Sequence, residues 1–362
     1  GQEALVLSAS GLSSIALSTN PFTIHEIPFK EKQNSIGWRN LVSWNEDTLL
    51  FRTDALGVHQ LSDGHIEPID LGESIEKGIC VSGDTLFVLH QNELATYTGF
   101  PNPKQVQRIP VNLRWTWGIG QTASKKWWAG NRELYFGDHP SSWNYYTSHE
   151  ANVYQVLESD AVGLLVATGN GVQLIDAEHR ALHPASGQFP ELGEMKSGCH
   201  ALLEDSTGRV WISTSGEGLF AWNIREATLH QYSVRQGLPS NTVYGVLMDR
   251  RGRIWGSTDQ GLFQLDPTSG ETAAYGIRQG IPEVEFNRTS FLRHFDGRFC
   301  GPFTFGQHAH TVTLAAHGTG RDQRVFGDVG GVQFAGIDEL LDDVQVDHRI
   351  GFAVRLVKAA LG

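Results

Sequence analysis

The chain has little of what would mark it as a metalloprotein, a membrane protein or a disulfide-stapled fold. Its 362 residues include 2 methionines and 3 cysteines. Cys80, Cys199 and Cys300 lie far apart, and none belongs to a CxxC pair. That spacing excludes a zinc finger and a disulfide framework. At most one bridge can form, and three small buried hydrophobes is the simpler reading. No run of about 18 apolar residues occurs, so no membrane-spanning helix is expected. Positive charge is also scarce: 28 Lys and Arg stand against 40 Asp and Glu, a net charge of −12. Such a surface repels phosphate backbones and anionic lipids, which argues against nucleic acid and membrane surfaces as partners. There is no HExxH, GxSxG, P-loop or dinucleotide fingerprint. No cofactor is called for, and nothing argues for an enzyme. The opening "GQEALVLSASGLSS" lacks a basic segment and an initiator Met. A removed signal peptide or an excised domain would both account for that.

Glycine is what the chain has in quantity, with 41 residues, together with 10 tryptophans. Many glycines among many aromatics suggest tight turns between short strands. The order in them is a repeat. "EDSTGRVWISTSGEGLFAW" at 204–222 returns as "MDRRGRIWGSTDQGLFQLD" at 248–266. Gly208 and Gly252, Trp211 and Trp255, and Thr214 and Thr258 are each 44 apart. Gly237-Leu238-Pro239 returns as Gly280-Ile281-Pro282, 43 further on. A period of about 40–45 residues with several strands per unit is the pattern of propeller blades. Degenerate copies stand at 46–61, 83–97, 124–138 and 160–176, and Gly297 follows Gly252 by 45. One blade cannot bury both faces of its sheet, and repetition around a ring does so.

The expectation is therefore an all-β fold, a β-propeller of four-stranded antiparallel blades, with seven blades as the first count and six or eight as neighbours. Residues 1–299 are read as blades, 300–340 as an atypical final blade with an insertion, and 341–362 as a tail. The single helix-like stretch is "GIDELLDDV" at 336–344.

These residues also carry a family resemblance. "LLEDSTGRVWISTSGEGLFAWN", "LPSNTVYGVLMDRRGRIWGSTDQGLFQLD" and "GIPEVEFNRTSF" resemble the two-component regulator propeller repeat. That repeat has an Asp-Gly turn, a Trp-containing strand, a Gly-Leu strand and a "Gly-Leu-Pro-Ser-Asn" connector. The strong match covers 201–297. In the last unit "DGRF" runs into "CGPFTFGQHAHTVTLAAHGTGRDQR", and a better match, "VFGDVGGVQFAGIDEL", follows at 325–340. The resemblance implies an extracytoplasmic, periplasmic sensor module whose ligand is a small polar molecule such as an oligosaccharide. A downstream signalling domain or a second propeller would receive the signal.

Propellers hold ligands where the inner strands converge on the channel mouth, so candidate residues are read from the starts of those strands. They are Trp38, Arg39, Trp115, Trp117, Tyr154, His200, Tyr244, Asn287 and Arg288. Aromatic faces with forked Arg donors and amides suit a sugar or an acidic sugar. The competing reading is structural, with Asn241 and Asn287 shaping connectors and the aromatics filling a narrow channel. The tryptophans of "RWTWGIGQTASKKWW" at 114–128 are read first as packing between blades. His308, His310 and His317 form the one histidine cluster. In a strand His308 and His310 face the same side, as two metal ligands would, but no acid or cysteine stands at helpful spacing. An enzyme of the propeller lyase or hydrolase type would need such a His and acid site, and an interaction scaffold would need an exposed apolar face.

Overall fold

The computed structural model describes 2–8, 11–17, 22–26, most of 38–281, Phe286, 292–293, 299–305 and 308–314. Every regular element of any length in these residues is a strand; the helical turns are short 3-10 pieces. The reason lies in the pattern. Apolar runs of five to seven residues are closed by Gly, Asp or Asn turns, and nothing sustains a helical period.

Consecutive strands pair antiparallel, each with the next. Trp38–Ser43, Thr48–Thr53, Gly57–Ser62 and His65–Pro68 form one sheet. Gly78–Ser82, Thr85–Leu89, Glu93–Thr98 and Lys104–Pro110 form the second. The third is a fused unit, and the fourth is Cys199–Glu204, Arg209–Thr214, Leu219–Asn223 and Thr228–Tyr232. Val243–Met248, Ile254–Thr258, Gly261–Leu265 and Thr272–Tyr275 follow. The last sheet takes Leu292–Arg293, Phe299–Phe305 and His308–Leu314 from one end of the chain and Phe22–Glu26 from the other. Phe22–Glu26 lies antiparallel to His308–Leu314, so the two ends of the ring are joined by main-chain hydrogen bonds. The first strand of the last sheet also lies against Trp38–Ser43, which completes the circle. A separate hairpin, Gln2–Ser8 with Gly11–Leu17, stands outside these sheets.

The expected count of seven blades is corrected here. When a blade is one hydrogen-bonded sheet, the propeller has six, not seven. The difference lies in 116–184. Thr116–Gln121, Trp127–Asn131, Glu133–Gly137 and Asn144–Thr147 are continuous with Val153–Ser159, Gly163–Thr168, Gly171–Asp176 and Ala181–Pro184 in one eight-stranded sheet. The two halves meet through one parallel pair, Thr147 with Ala181. A repeat count sees two units there because each half has its own four strands; the backbone joins their outer edges, which a period cannot reveal.

The core lies between neighbouring units. Trp222, fully buried, packs with Leu165, Ala167 and Val172 of the preceding unit. Trp211 packs with Val243, Val246 and Ile254 of the next. Trp127 sits against Phe87 with ring centres 4.4 Å apart, and Trp128 packs against Val153 and its neighbours. The described tryptophans of 114–128 thus pack between strands, Trp127 across two blades and Trp128 between the halves of the fused sheet. The helix-like 336–344 lies outside the described residues.

The repeated motif has a mechanical explanation. Asp249 Oδ1 accepts from the backbone N–H of Arg251 and Arg253, both at 2.9 Å. Its Oδ2 accepts from Trp255 Nε1 at 3.1 Å and Arg253 Nε at 2.7 Å. Asp205 does the same for the amides of Thr207 and Arg209 and for Trp211 Nε1. The aspartate closes the turn and supplies the acceptor a buried indole needs. Thr214 and Thr258, both fully buried, donate to the carbonyls of Gly218 and Gly261 at 2.8 Å. Those glycines have φ of +89° and +110°, and a Cβ on either would collide with the carbonyl oxygen of Tyr232 or Tyr275. The Gly-Leu of the repeat is therefore a steric requirement.

Candidate functional site

The innermost strand of several units carries the same irregularity. Pairing slips by one residue between Val153 and Gln155, between Cys199 and Ala201, and between Val243 and Gly245. The extra residue in each is Tyr154, His200 or Tyr244. A β-bulge leaves its residue out of the ladder and re-aims its side chain. Trp117 occupies the same slip between Thr116 and Gly118. The bulge converts three residues, one from each of three successive units, into the wall of one pocket.

That pocket has a volume of ≈410 Å³. Three classes of residue line it. The first is the bulge set, Tyr154, His200 and Tyr244. The second follows the closing threonines of the second strands: Gly169, Ser215 and Asp259 come directly after Thr168, Thr214 and Thr258. The third comes from the connectors, Gly198 and Thr242.

The walls are held from behind. His200 is 4% exposed, and its Nδ1 lies 2.9 Å from the carbonyl oxygen of Val243 in the next unit. A carbonyl can only accept, so Nδ1 carries a proton and donates it to Val243 O. The His200 ring stands edge-on to Tyr154, with centroids 5.4 Å apart, and 5.5 Å from Tyr244. The rim is a ladder of backbone contacts. Ser215 N–H donates to Gly198 O at 3.0 Å, and Gly169 N–H to Asn152 O at 2.9 Å. Gly198 lies so close to Gly169 that a Cβ would run into its carbonyl oxygen. Glu217 accepts from the amides of Lys196 and Ser197 and pins the connector. Asn241 also serves the connector: its Oδ1 accepts from Val234 N–H and its carbonyl from Gly218 N–H.

Among the described lining residues Asp259 alone carries a formal charge. Its Oδ1 is buried with no hydrogen-bond partner among the described residues. The pocket thus offers two phenol rings, an imidazole, two hydroxyls and one carboxylate.

Of the residues read from the inner strand starts, Tyr154, His200 and Tyr244 line this pocket. Trp38, Arg39 and Trp117 lie on described strands, but their side chains are outside the described residues, as are Trp115, Asn287 and Arg288 altogether. His308 and His310 fall on the strand His308–Leu314 without described side chains, and His317 lies outside. Among the described residues no group of three or more His, Cys, Asp or Glu is placed to hold a metal ion. Cys80 and Cys199 are free and buried. Burial pushes both thiols up, Cys80 to about 12, so neither is a thiolate at neutral pH. Sequence reasoning missed Asp259, Ser215 and Thr242. The signal was available for the first two, because each stands one place after the recurring threonine.

The profile of the two component regulator propeller family matches residues 237–260, the connector and first hairpin of the unit that carries Tyr244 and Asp259. No curated protein matches the chain. Among solved structures, YCF48 bound to D1 peptide shares 11% identity at a TM-score of 0.60, over 84% of this chain and 98% of that one. Virginiamycin B lyase from Staphylococcus aureus shares 11% at 0.58, over 81% and 100%. At these identities the likeness is one of fold. An extracellular domain assigned to the hybrid two component system BT3049 of B. thetaiotaomicron shares 12% at 0.42, and 86% of this chain covers 55% of that one. No helix among the described residues is long and apolar enough to cross a membrane. The six blades make this chain a β-propeller, and its 237–260 stretch is similar to the two component regulator propeller repeat.

Proposed function

We propose that the chain is the ligand-binding propeller of an extracytoplasmic sensor. Its ligand is a small polar molecule, an oligosaccharide or part of one, held in the pocket of Tyr154, His200 and Tyr244. Occupancy is passed to signalling domains or a second propeller outside this chain. The observation that carries the proposal is the bulge repeated in three successive units, which aims three ring-bearing side chains into one cavity. A propeller that only packed its channel would have no use for a polar cavity of ≈410 Å³, a size within the range of small-molecule sites. Aromatic faces cover the apolar faces of sugar rings, and the hydroxyls and carboxylate pair with sugar hydroxyls. A ligand that touches three units favours one arrangement of them, and that preference is what a partner domain can read.

The test is calorimetric titration and thermal shift of the chain against a panel of oligosaccharides. A true ligand at about a hundred times its Kd should stabilise by roughly 2.7 kcal/mol. Tyr244→Ala should abolish that gain while circular dichroism shows an intact sheet. A panel without any binder, or binding indifferent to Tyr244, counts against the pocket and favours an interaction scaffold.

A further inference from the structure

The pocket has a charge, and its sign narrows the ligand. We infer that the site takes an amine-bearing ligand, of the amino-sugar class, and rejects acidic sugars; this rests on the proposal that the pocket is the sensing site. Asp259 supplies the charge, with Oδ1 buried and unpartnered among the described residues. A buried carboxylate oxygen without a donor is costly unless something supplies one. None of the described lining residues is Lys or Arg. Lys196, two residues before Gly198, has its Nζ turned to the carbonyl of Gly193.

The rest of the pocket favours the same chemistry. Tyr154 and Tyr244 flank His200, and phenol faces attract cations. An ammonium between aromatic faces and a carboxylate gains from both, whereas a uronate or sulfated sugar would place a second negative charge beside Asp259. The net charge of −12 raises the local concentration of cations and lowers that of anions. Asp259 is also specific to its unit: the same place is Gly169 and Ser215 in the two preceding units, so the fold does not require an acid there.

The experiment is titration of the chain and of Asp259→Asn with D-glucosamine, D-glucose and D-glucuronate at about pH 6, where such an amine is protonated. Glucosamine should bind about tenfold tighter than glucose, and glucuronate weakest of the three. Asp259→Asn keeps the shape and removes the charge, so it should bring glucosamine to within about twofold of glucose and leave glucose nearly unchanged. Glucuronate binding as tightly as glucosamine, or a glucosamine advantage that survives Asp259→Asn, overturns the charge assignment. If Tyr244→Ala still removes glucose or glucuronate binding, the sensing pocket stands without it. Loss of binding for all three sugars and for the oligosaccharide panel overturns both.

Discussion

Two stretches of the chain solve the same packing problem with different side chains. In the units beginning at Cys199 and Val243 the turn after the inner strand is closed by Asp205 and Asp249, and the strand beyond carries Trp211 and Trp255. In the unit beginning at Val153 the corresponding residues are Ser159 and Leu165, by register. Ser159 is buried, and its Oγ accepts from the amide of Ala161 at 3.2 Å, while Leu165 is fully buried. A buried indole has an N–H that must be satisfied, and aspartate reaches it while closing the turn. A leucine makes no such demand, so a serine that closes the turn is enough. In these two units the aspartate serves the buried ring, and where leucine replaces the ring a serine closes the turn.

That comparison can be broken from the larger side first. Asp249→Ala removes the acceptor for one indole, two amides and a guanidinium, from a side chain 1% exposed. It should cost about 3 kcal/mol, seen as a clear fall in Tm or in the denaturant midpoint. A cost below about 1 kcal/mol would mean that the indole and Arg253 find water instead.

Acid comes next. Burial by itself would raise the carboxyls of Asp205 and Asp249, but the hydrogen-bond donors around each outweigh it and hold both below the ordinary range. A group whose pKa is lower folded than unfolded stabilises fully above its unfolded value. That contribution drains away as pH falls from the ordinary carboxylate range, about 4, through the lower folded value. The wild type should therefore lose stability on going from about pH 5 to about pH 3, and Asp249→Asn should lose less across that window. Equal losses would show that other carboxylates govern acid unfolding.

The smallest effect is on the other side of the comparison. Ser159→Ala removes one acceptor for one amide and should cost about 1 kcal/mol, well short of Asp249→Ala. Equal costs for the two would sink the idea that the indole is what makes the aspartate matter.

Much of this was legible in the sequence. The glycines and threonines at fixed spacing showed the repeat because each does a job that backbone geometry imposes: Gly218 and Gly261 avoid a carbonyl, and Thr214 and Thr258 close equivalent hairpins in their two units. Tyr154, His200 and Tyr244 were picked from the starts of the inner strands, on which the structure places them. The bulge that aims them was not legible, since a one-residue slip changes no residue type. Nor was the role of Asp259, whose neighbours in space come from other units.

The sequence by itself determined that this chain would be a ring of small sheets, because local turn chemistry and a period of about 44 residues are local properties. It also determined which residues would stand at the inner strand starts. Tertiary structure alone decided how many sheets the ring has, since the pairing of Thr147 with Ala181 joins strands whose partnership no repeat encodes. It likewise decided that two tyrosines, a histidine and a carboxylate share one pocket. That meeting depends on the rotation from one unit to the next, and only packing between units sets it.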